Sequence, residues 1–426
     1  MFELSRCIVL ALVCALAGCA SAPHVTVTPD KSNAVAYWHA VGAATVNVNA
    51  TVPTATTEAE KYPAFSVDMA TMHVAIYDAV AAITGRYQPL YAFPQGDFSG
   101  ASPDAATGAA AFGVLRALFP DRAAHYRPAY DSFMASLPDG AAKTRGIALG
   151  NEVATAVLAR RAADGRAIVL AEYVPGTAPG EYRGRNPVVR YFPHIRPFTL
   201  NSMDQFRPPP PPALDSAEYA ADFNETKDYG GMLGSRRTPE QLELARFHTE
   251  APQTFITRNF GRFARSTGDV GDAARLMAIL YSGYTDAIGA CFDAKYHYNA
   301  WRPLSAIPLA QTDDNPATAS DTDWKPVLPT PPHPEYPAAH SCTAGAVGEL
   351  LRLYFGTGNV SFTLDSIVTN VTRDYADVDA LARESVQARI YGGMHFRYAT
   401  TAGYTLGKQV AGWTMGHAFM RLNATK

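Results

Sequence analysis

The chain has 426 residues, of which 47% are hydrophobic and 18% are charged, so it is long and apolar enough to bury a large core. Its formal net charge is −3, and this weakly acidic balance argues against a nucleic-acid partner.

The N-terminal segment resembles a bacterial lipoprotein signal. Residues 8–17 are apolar and follow Arg6, but they are too few to span a bilayer. Residues 16–19, Leu-Ala-Gly-Cys, resemble the site at which such signals are cut before a cysteine that receives lipid. We therefore expect a signal peptide over 1–18, lipid attached to Cys19 and a polar tether over 19–33. The protein would be an exported bacterial lipoprotein, facing the periplasm or on the outer membrane, and attached by lipid alone. The alternative is an ordinary secretory signal with a chance cysteine.

Helical periodicity dominates the chain after residue 33, and no region is rich in strand patterns, so we predict an all-α fold. The pattern fails over 166–212, which ends in a proline run, and over the long loop 311–337. The predicted helices are residues 34–46, 65–83, 104–119, 146–165, 216–230, 238–248, 272–298, 341–355, 378–389 and 401–421.

Two cations lie at the end of the longest predicted helix. Lys295 and Arg302 are seven residues apart, and an apolar stripe over 280–291 leads to Lys295. A helix would place both cations on one face, two turns apart. Because Pro303 disfavours helical geometry in the residue before it, we expect the helix to end at Trp301 or Arg302.

Two further clusters follow along the chain. His340 ends the proline-rich loop, and Arg389 ends a second helical stripe that Gly392 and Gly393 separate from His395. Each cluster alone is typical of a solvated face or an ordinary helix end. Together they gather three cations with no evident carboxylate partner, and buried cations need a counter-charge. The sequence therefore predicts a bound tetrahedral oxyanion, which the planar fork of Arg suits well.

The order and spacing of these clusters resemble the vanadium-dependent haloperoxidase and type 2 phosphatidic acid phosphatase superfamily. The motif of that family is Lys, six residues, Arg-Pro; then Pro-Ser-Gly-His; then Arg, five residues, His. The matching residues here are Lys295, Arg302, Pro303, Pro337, Ala338, Ala339, His340, Arg389 and His395, with the two alanines in place of Ser and Gly. The segments 34–41, 72–80, 238–248 and 293–303 resemble the bacterial haloperoxidase-related lineage.

The resemblance implies helical bundles of the haloperoxidase and acid phosphatase type. We expect a single domain over 34–424, in which 34–212 form a supporting helical half and 213–424 carry the oxyanion site. It also implies vanadate as cofactor. His395 would bind the vanadium through its imidazole, and the backbone N–H of Ala339 would donate to an oxygen. Lys295, Arg302 and Arg389 would neutralise the remaining oxygens.

The resemblance also implies roles for residues around the cation cluster. His340 would act as general acid and base on the apical oxygen. His333 occupies a position that is often His in bromoperoxidases and Phe in chloroperoxidases, and Glu250 falls near a carboxylate that pairs with site residues in the family. If Lys295 and His340 meet at one anion, Cys291 and Cys342 lie close together, and an exported protein could keep them as a disulfide. Two small buried thiols are the alternative.

The expected activity is oxidation of halide, with bromide favoured, by hydrogen peroxide on protein-bound vanadate. The runner-up is a metal-free acid phosphatase that acts on a phosphate ester, in which His395 attacks phosphorus and His340 protonates the leaving alcohol. The third alternative is a non-enzymatic oxyanion-binding lipoprotein, which would not need both histidines. Ala338 removes a hydroxyl donor that the family provides, and Ser341, one residue after His340, would replace it only in part.

Overall fold

The structure is a computed structural model, and it describes residues 23–48 and 64–422. The expected signal peptide over 1–18, the lipidated Cys19 and the first residues of the expected tether lie outside the described residues.

The predicted all-α fold is confirmed. Thirteen α-helices occur within the described residues: α1 (Ala34–Val46), α2 (Phe65–Thr84), α3 (Pro103–Leu118), α4 (Ala123–Ser136), α5 (Ala141–Arg161), α6 (Ala217–Gly230), α7 (Pro239–Phe247), α8 (Pro252–Ala264), α9 (Val270–Tyr298), α10 (Pro303–Ala306), α11 (Ala339–Phe355), α12 (Val378–Tyr391) and α13 (Arg397–His417). The sequence pattern had missed two long ones, α4 and α8. Helix α4 contains Pro128 and has few buried residues, which obscures its periodicity.

A small sheet is the main departure from the predicted pattern. Strand β1 (Val25–Thr26) pairs in parallel with β2 (Val360–Ser366), which pairs antiparallel with β3 (Val371–Tyr375). Along β2 every second residue is buried, beginning with Val360, as expected for a strand with one face on the core. These strands are short, and the helical pattern of the flanking segments masked them in the sequence.

Helix α9 lies at the centre of the molecule. Its N-terminus is capped by Asp269, whose side chain accepts a hydrogen bond from the Asp272 amide, and its C-terminus is the left-handed residue Asn299. Most of its 29 residues are buried, and it packs against α2, α11 and α13. Because α9 is buried on most sides, most of its residues are apolar or small, and the cation Lys295 lies in its last turn.

Helices α11 and α13 approach each other closely through glycines. A side chain at Gly345 would overlap the backbone of Tyr404, and one at Gly407 would overlap the carbonyl of Cys342. This approach places α13 against the first turn of α11. The N-terminus of α11 is thereby fixed where the proline-rich loop ends.

No helix among the described residues is long and apolar enough to cross a membrane.

Candidate oxyanion-binding site

The three motif clusters meet in the interior of the molecule. Lys295, in the last turn of α9, is fully buried, and its Nζ donates hydrogen bonds of 2.9 Å to the carbonyl oxygens of Pro334 and Glu335. Both acceptors belong to the proline-rich loop that leads to His340. The first cluster is therefore tied directly to the second.

Arg302 does not lie on helix α9, contrary to the sequence prediction. The helix ends at Tyr298, because Asn299 adopts a left-handed conformation and turns the chain, and Arg302 is the extended residue that precedes α10. Its guanidinium nevertheless points back into the site. There Nε donates to the His333 carbonyl at 2.8 Å and Nη1 donates to the Met394 carbonyl at 2.8 Å.

Arg389 enters from the last turn of α12, as the sequence predicted. Its Nη1 donates to the carbonyl of His248 at 3.3 Å, and its Nη2 lies 3.0 Å from the sulfur of Met394. Its buried Nε has no hydrogen-bond partner in the described part of the chain. The donors of this guanidinium are thus poorly satisfied, which is costly for a buried cation.

His395 lies one turn beyond α12, after Gly393 takes up a left-handed conformation with φ of 73°. Its two ring nitrogens have different partners. Nε2 lies 2.8 Å from Nη1 of Arg302, and Nδ1 lies 3.0 Å from Oε1 of Glu335. Since a guanidinium has only donors, Nε2 must accept, and Nδ1 therefore carries the proton and donates to the carboxylate.

Glu335 is a site residue that the sequence pattern did not identify. It is fully buried, and the same Oε1 also accepts a hydrogen bond of 2.9 Å from the Phe396 amide. From sequence alone, a glutamate in a proline-rich loop is expected to be exposed to solvent. The available signal was its place two residues after His333 and five before His340, in the segment already singled out for chemistry.

The electrostatics of the site are dominated by excess positive charge. Burial lowers the pKa of Arg302 to about 10 and that of Arg389 to about 9, and it lowers the pKa of Lys295 well below its ordinary value. Burial also raises the pKa of Glu335 to about 7, although Arg302 and Lys295 oppose that rise. Burial thus disfavours the charged form of each of the three basic groups, and Glu335 opposes that effect at Lys295 and Arg302. A bound anion would relieve that strain on the cations.

The first turn of α11 faces the same region. Its N-cap residue is Ala338, which has no side chain to accept from the helix, so the first backbone N–H groups, from Ala339 onward, lack an intrahelical acceptor. Such an N-terminus favours an anion. The hydroxyl of Ser341 is buried and has no hydrogen-bond partner in the described residues. It does not line the cavity described below, so the structure gives it no contact that replaces the family Ser.

A cavity of about 730 Å³ leads to this cluster from one side. Its floor includes His340, Ala339, His333 and Arg389, and its walls are largely apolar, among them Phe65, Phe192, Phe255, Phe260, Phe263, Phe292, Tyr284, Ile288, Val347 and Leu381. Lys295, Arg302 and His395 lie behind the floor, with exposed fractions of 0%, 1% and 1%. His340 is the half-buried histidine at the boundary between the cavity and the cations. Burial and the charge of Arg389 lower its pKa, so its imidazole is neutral near pH 7.

His333 and Glu250 have different surroundings. Nδ1 of His333 accepts from Nη2 of Arg302 at 2.9 Å, and its ring packs edge-on against Phe292, so this residue contacts the cation cluster. Glu250 lines the cavity but forms a two-pronged ion pair with Arg258, with both distances 2.6 Å. The expected pairing of Glu250 with site residues is therefore not observed, because α8 places Arg258 against its carboxylate.

A third histidine of the same cavity, His248, was not predicted as a site residue. His248 precedes Glu250 by two residues, lines the cavity, and places its Nε2 3.1 Å from Oε1 of Glu384. Burial lowers its pKa, and Glu384 opposes the change. The family resemblance of this segment pointed to Glu250, and no spacing in the sequence marked His248.

Cys291 and Cys342 form a disulfide bond, with their Cα atoms 6.5 Å apart. The bond joins α9, one turn before Lys295, to α11, two residues after His340. It therefore connects the helices that supply the first and second motif clusters.

These residues fit a tetrahedral oxyanion such as vanadate. Lys295, Arg302 and Arg389 supply donors, of which the Arg389 Nε is orphaned, and the N-terminus of α11 supplies backbone amides. Nε2 of His395 supplies a lone pair on the same side as Arg302. The donor set is cationic, so it suits an anion rather than a bare metal cation.

Comparison with known proteins agrees with this geometry. Residues 275–424 match the family model of the VCPO second helical-bundle domain, and this range contains all five predicted site side chains. Vanadium chloroperoxidase of Curvularia inaequalis is 32% identical over 122 residues, which cover 26% of this chain and 19% of that protein. The match thus spans about a fifth of the length of that relative.

Solved structures share the fold over nearly the whole chain. A bacterial vanadium-dependent iodoperoxidase superposes with a TM-score of 0.72 at 23% identity, covering 92% of this chain and 97% of its own. A holo-type bacterial vanadium-dependent chloroperoxidase superposes with a TM-score of 0.70 at 15% identity, covering 91% of this chain and 97% of its own. The predicted resemblance to the vanadium haloperoxidase superfamily is confirmed.

Proposed function

We propose that this protein is a vanadate-dependent haloperoxidase that oxidises halide, with bromide favoured, at the expense of hydrogen peroxide. The observation that carries the proposal is the buried cluster of Lys295, Arg302 and Arg389 around the unprotonated Nε2 of His395. An oxyanion in that cluster would satisfy the orphaned donors and balance the charge. The similarity of residues 275–424 to a chloroperoxidase domain supports vanadate as the oxyanion.

The chain's own residues would divide the work between binding and proton transfer. When bound, vanadate would activate peroxide as a Lewis acid. Lys295, Arg302 and Arg389 would hold its oxygens and stabilise the negative charge there. His395 would hold it at Nε2, while the Ala339 amide would donate from the helix N-terminus.

His340 would move the proton. Its imidazole is neutral near pH 7 and borders the cavity from which hydrogen peroxide would arrive. A neutral imidazole can take a proton from peroxide and return it to the leaving oxygen. The apolar walls of the cavity would exclude bulk water and leave space for an organic acceptor beside the site.

The preference for bromide rests on His333. This imidazole lies between Arg302 and the aromatic ring of Phe292, on the floor of the cavity. A histidine at that position is typical of bromoperoxidases in the family that this chain resembles. The related structures include an iodoperoxidase and a chloroperoxidase, so relative rates with the three halides are the test of this finer proposal.

A phosphatase remains the second candidate because the same residues suit phosphate. Vanadate and phosphate are both tetrahedral, and an unprotonated Nε2 on His395 is also what a histidine nucleophile requires. The substrate would be a phosphate ester whose alcohol portion occupies the cavity. His340 would protonate the leaving alcohol.

Protein stripped of vanadate should gain bromide-oxidising activity, saturably, when orthovanadate is added with hydrogen peroxide, and inorganic phosphate should compete. Hydrolysis of a phosphomonoester by the vanadate-free protein is measured on the same preparation. Bromide oxidation that is independent of vanadate, or phosphatase turnover that exceeds it, would overturn the proposal in favour of the second candidate. Activity of neither kind, with anion binding intact, would favour a non-enzymatic binding protein.

A further inference from the structure

Glu335 is a residue of the site to which neither the motif nor the proposed reaction assigns a role. Its carboxylate is fully buried, and Oε1 accepts from Nδ1 of His395 at 3.0 Å and from the amide of Phe396 at 2.9 Å. One oxygen therefore holds both the ring of His395 and the backbone immediately after it. The second oxygen, Oε2, has no hydrogen-bond partner in the described residues, so the contact to His395 is the carboxylate's main side-chain interaction.

The partners of His395 fix its tautomer from both sides. Arg302 can only donate, so it requires a lone pair on Nε2, and the carboxylate of Glu335 accepts, so it favours a proton on Nδ1. A bound oxyanion would compete with His395 Nε2 for the Nη1 donor of Arg302, because Nη1 is among the donors of the cluster. Glu335 contacts the ring at Nδ1 rather than at Nε2, so its contact would persist when an oxyanion binds at Nε2.

The carboxylate of Glu335 also lies close to the cations Lys295 and Arg302, and its negative charge offsets part of their positive charge. Lys295 donates to the backbone carbonyl of Glu335, and Arg302 contacts the ring that the carboxylate holds. Replacing the carboxylate by a neutral amide would make the cluster more positive. By charge alone, that substitution should strengthen the binding of any oxyanion.

We propose that Glu335 is a positioning residue that keeps His395 protonated at Nδ1, so that the lone pair of Nε2 is presented to the bound oxyanion. The inference rests on the proposed vanadate site, and it concerns the bond to His395 rather than the ionic contacts. Vanadate bound through Nε2 uses that bond, whereas phosphate held as a non-covalent ion uses the cations and amides. The two anions therefore separate the role of Glu335 in orientation from its role in charge.

The experiment compares dissociation constants of orthovanadate and inorganic phosphate, measured by calorimetry on the vanadate-free wild type and on Glu335→Gln. Glutamine keeps the size of the side chain. Loss of the carboxylate should raise the dissociation constant of orthovanadate about 10–100-fold, as is usual when a residue that orients a ligating histidine is removed. Phosphate binding should be unchanged or tighter.

Asp222→Asn is the matched control. Asp222 is a nearby carboxylate that accepts from the Tyr398 amide at 2.6 Å and has no hydrogen bond to His395. Its substitution should leave the ratio of the two dissociation constants unchanged. Thermal unfolding of each ligand-free variant establishes that it folds.

The outcomes are distinct. If Glu335→Gln binds both anions more weakly by the same factor, the role of Glu335 is merely structural. If it binds both more tightly by the same factor, Glu335 acts through charge alone. Either result overturns the inference. Failure of Glu335→Gln to fold while Glu335→Asp folds and keeps the wild-type ratio would support the need for a carboxylate. Failure of the wild type to bind orthovanadate would instead overturn the proposed function, whatever the variants do.

Discussion

At the scale of single residues, the site consists of cations that were predictable and of partners that were not. Lys295, Arg389 and His395 stand in motif spacings that identified them in the sequence. Glu335 lies in the proline-rich loop and His248 caps the C-terminus of α7, and neither stands in a spacing that marks it as a site residue. The position of Arg302 was wrong in detail because Asn299 ends α9 early, but its side chain still reaches the cluster.

His340→Ala tests the acid–base assignment. Turnover of bromide should fall by about 10²–10⁴-fold, because no other group would transfer the proton as efficiently. The dissociation constant of orthovanadate should change little, since the ligands in the cluster remain. Steady-state kinetics and calorimetry measure the two quantities.

The control for that variant is His297→Ala, which removes an exposed histidine from α9. It should preserve both turnover and binding. Full activity in His340→Ala, or equal loss in both variants, would show that His340 is not the acid–base group.

Arg389→Met tests whether the positive charge of the cluster lacks a counter-charge when no anion is bound. Methionine removes a buried cation whose Nε has no partner in the described residues, so the ligand-free protein should become more stable by about 1–4 kcal/mol. Orthovanadate should no longer raise its unfolding temperature. In the wild type, orthovanadate at 100 times its dissociation constant should add about 2.7 kcal/mol.

Arg383→Met is the control on the same helix. Its side chain is 67% exposed, and its ion pair with Asp377 is at the surface. The unfolding free energy should change by less than about 0.5 kcal/mol, and the shift with orthovanadate should be retained. If ligand-free Arg389→Met is much less stable than the wild type, the claim that excess positive charge destabilises the ligand-free site is wrong.

At the scale of elements, helix existence was predictable and helix ends were less so. Helices α2, α6, α9 and α12 were predicted within a few residues of their observed bounds, because their apolar stripes are long. The sheet and the two helices α4 and α8 were missed. Strand β2 has seven residues, and its alternation is shorter than the window in which periodicity is distinctive.

Gly407→Ala tests the close contact of α11 and α13. A methyl group there would overlap the carbonyl of Cys342 and lie 2.6 Å from the amide of Ala346, so the helices must separate. The expected loss of unfolding free energy is about 1–3 kcal/mol in urea denaturation. Because α11 begins at Ala339, oxyanion affinity should also decrease.

Gly412→Ala on the same helix is the control, since no atom lies within 4 Å of the added methyl group. It should be neutral or stabilise the protein by up to about 1 kcal/mol. Equal destabilisation by both substitutions would mean that helix propensity, rather than contact between helices, governs the effect.

The disulfide between α9 and α11 closes a loop with a sequence separation of 51. Replacing Cys291 and Cys342 together by alanine should lower the unfolding free energy by about 4 kcal/mol, through the greater entropy of the unfolded chain. A reducing agent should destabilise the wild type by a similar amount and leave the double variant unaffected. Insensitivity of the folded wild type to reduction, with free thiols detected in it, would show that the bond does not form.

At the scale of the whole molecule, the family resemblance predicted the fold better than any local pattern did. The supporting role of 34–212 and the boundary at residue 213 remain predictions. Helix α2 belongs to the first of these segments and packs directly on α9, so the two parts share a core. Local periodicity does not report which distant helices share a core, and this is why the bundle's arrangement needed the structure.

We also propose that the protein is exported and anchored by lipid at Cys19. The apolar segment before that cysteine and the polar segment after it support the proposal. Cys19→Ser should move the protein from the membrane fraction to the soluble fraction without changing the activity of the purified protein. A wild-type protein that fractionates as soluble, with an N-terminus beyond Cys19, would show ordinary secretion instead.

The most direct test of the central claim is a crystal structure of the protein with orthovanadate. We predict vanadium bonded to Nε2 of His395, with its oxygens contacted by Lys295, Arg302, Arg389 and the N-terminus of α11, and with Nδ1 of His395 still donating to Glu335. Orthovanadate bound elsewhere, or a saturated crystal in which Arg302 keeps its contact with Nε2 and no anion occupies the cluster, would contradict the account.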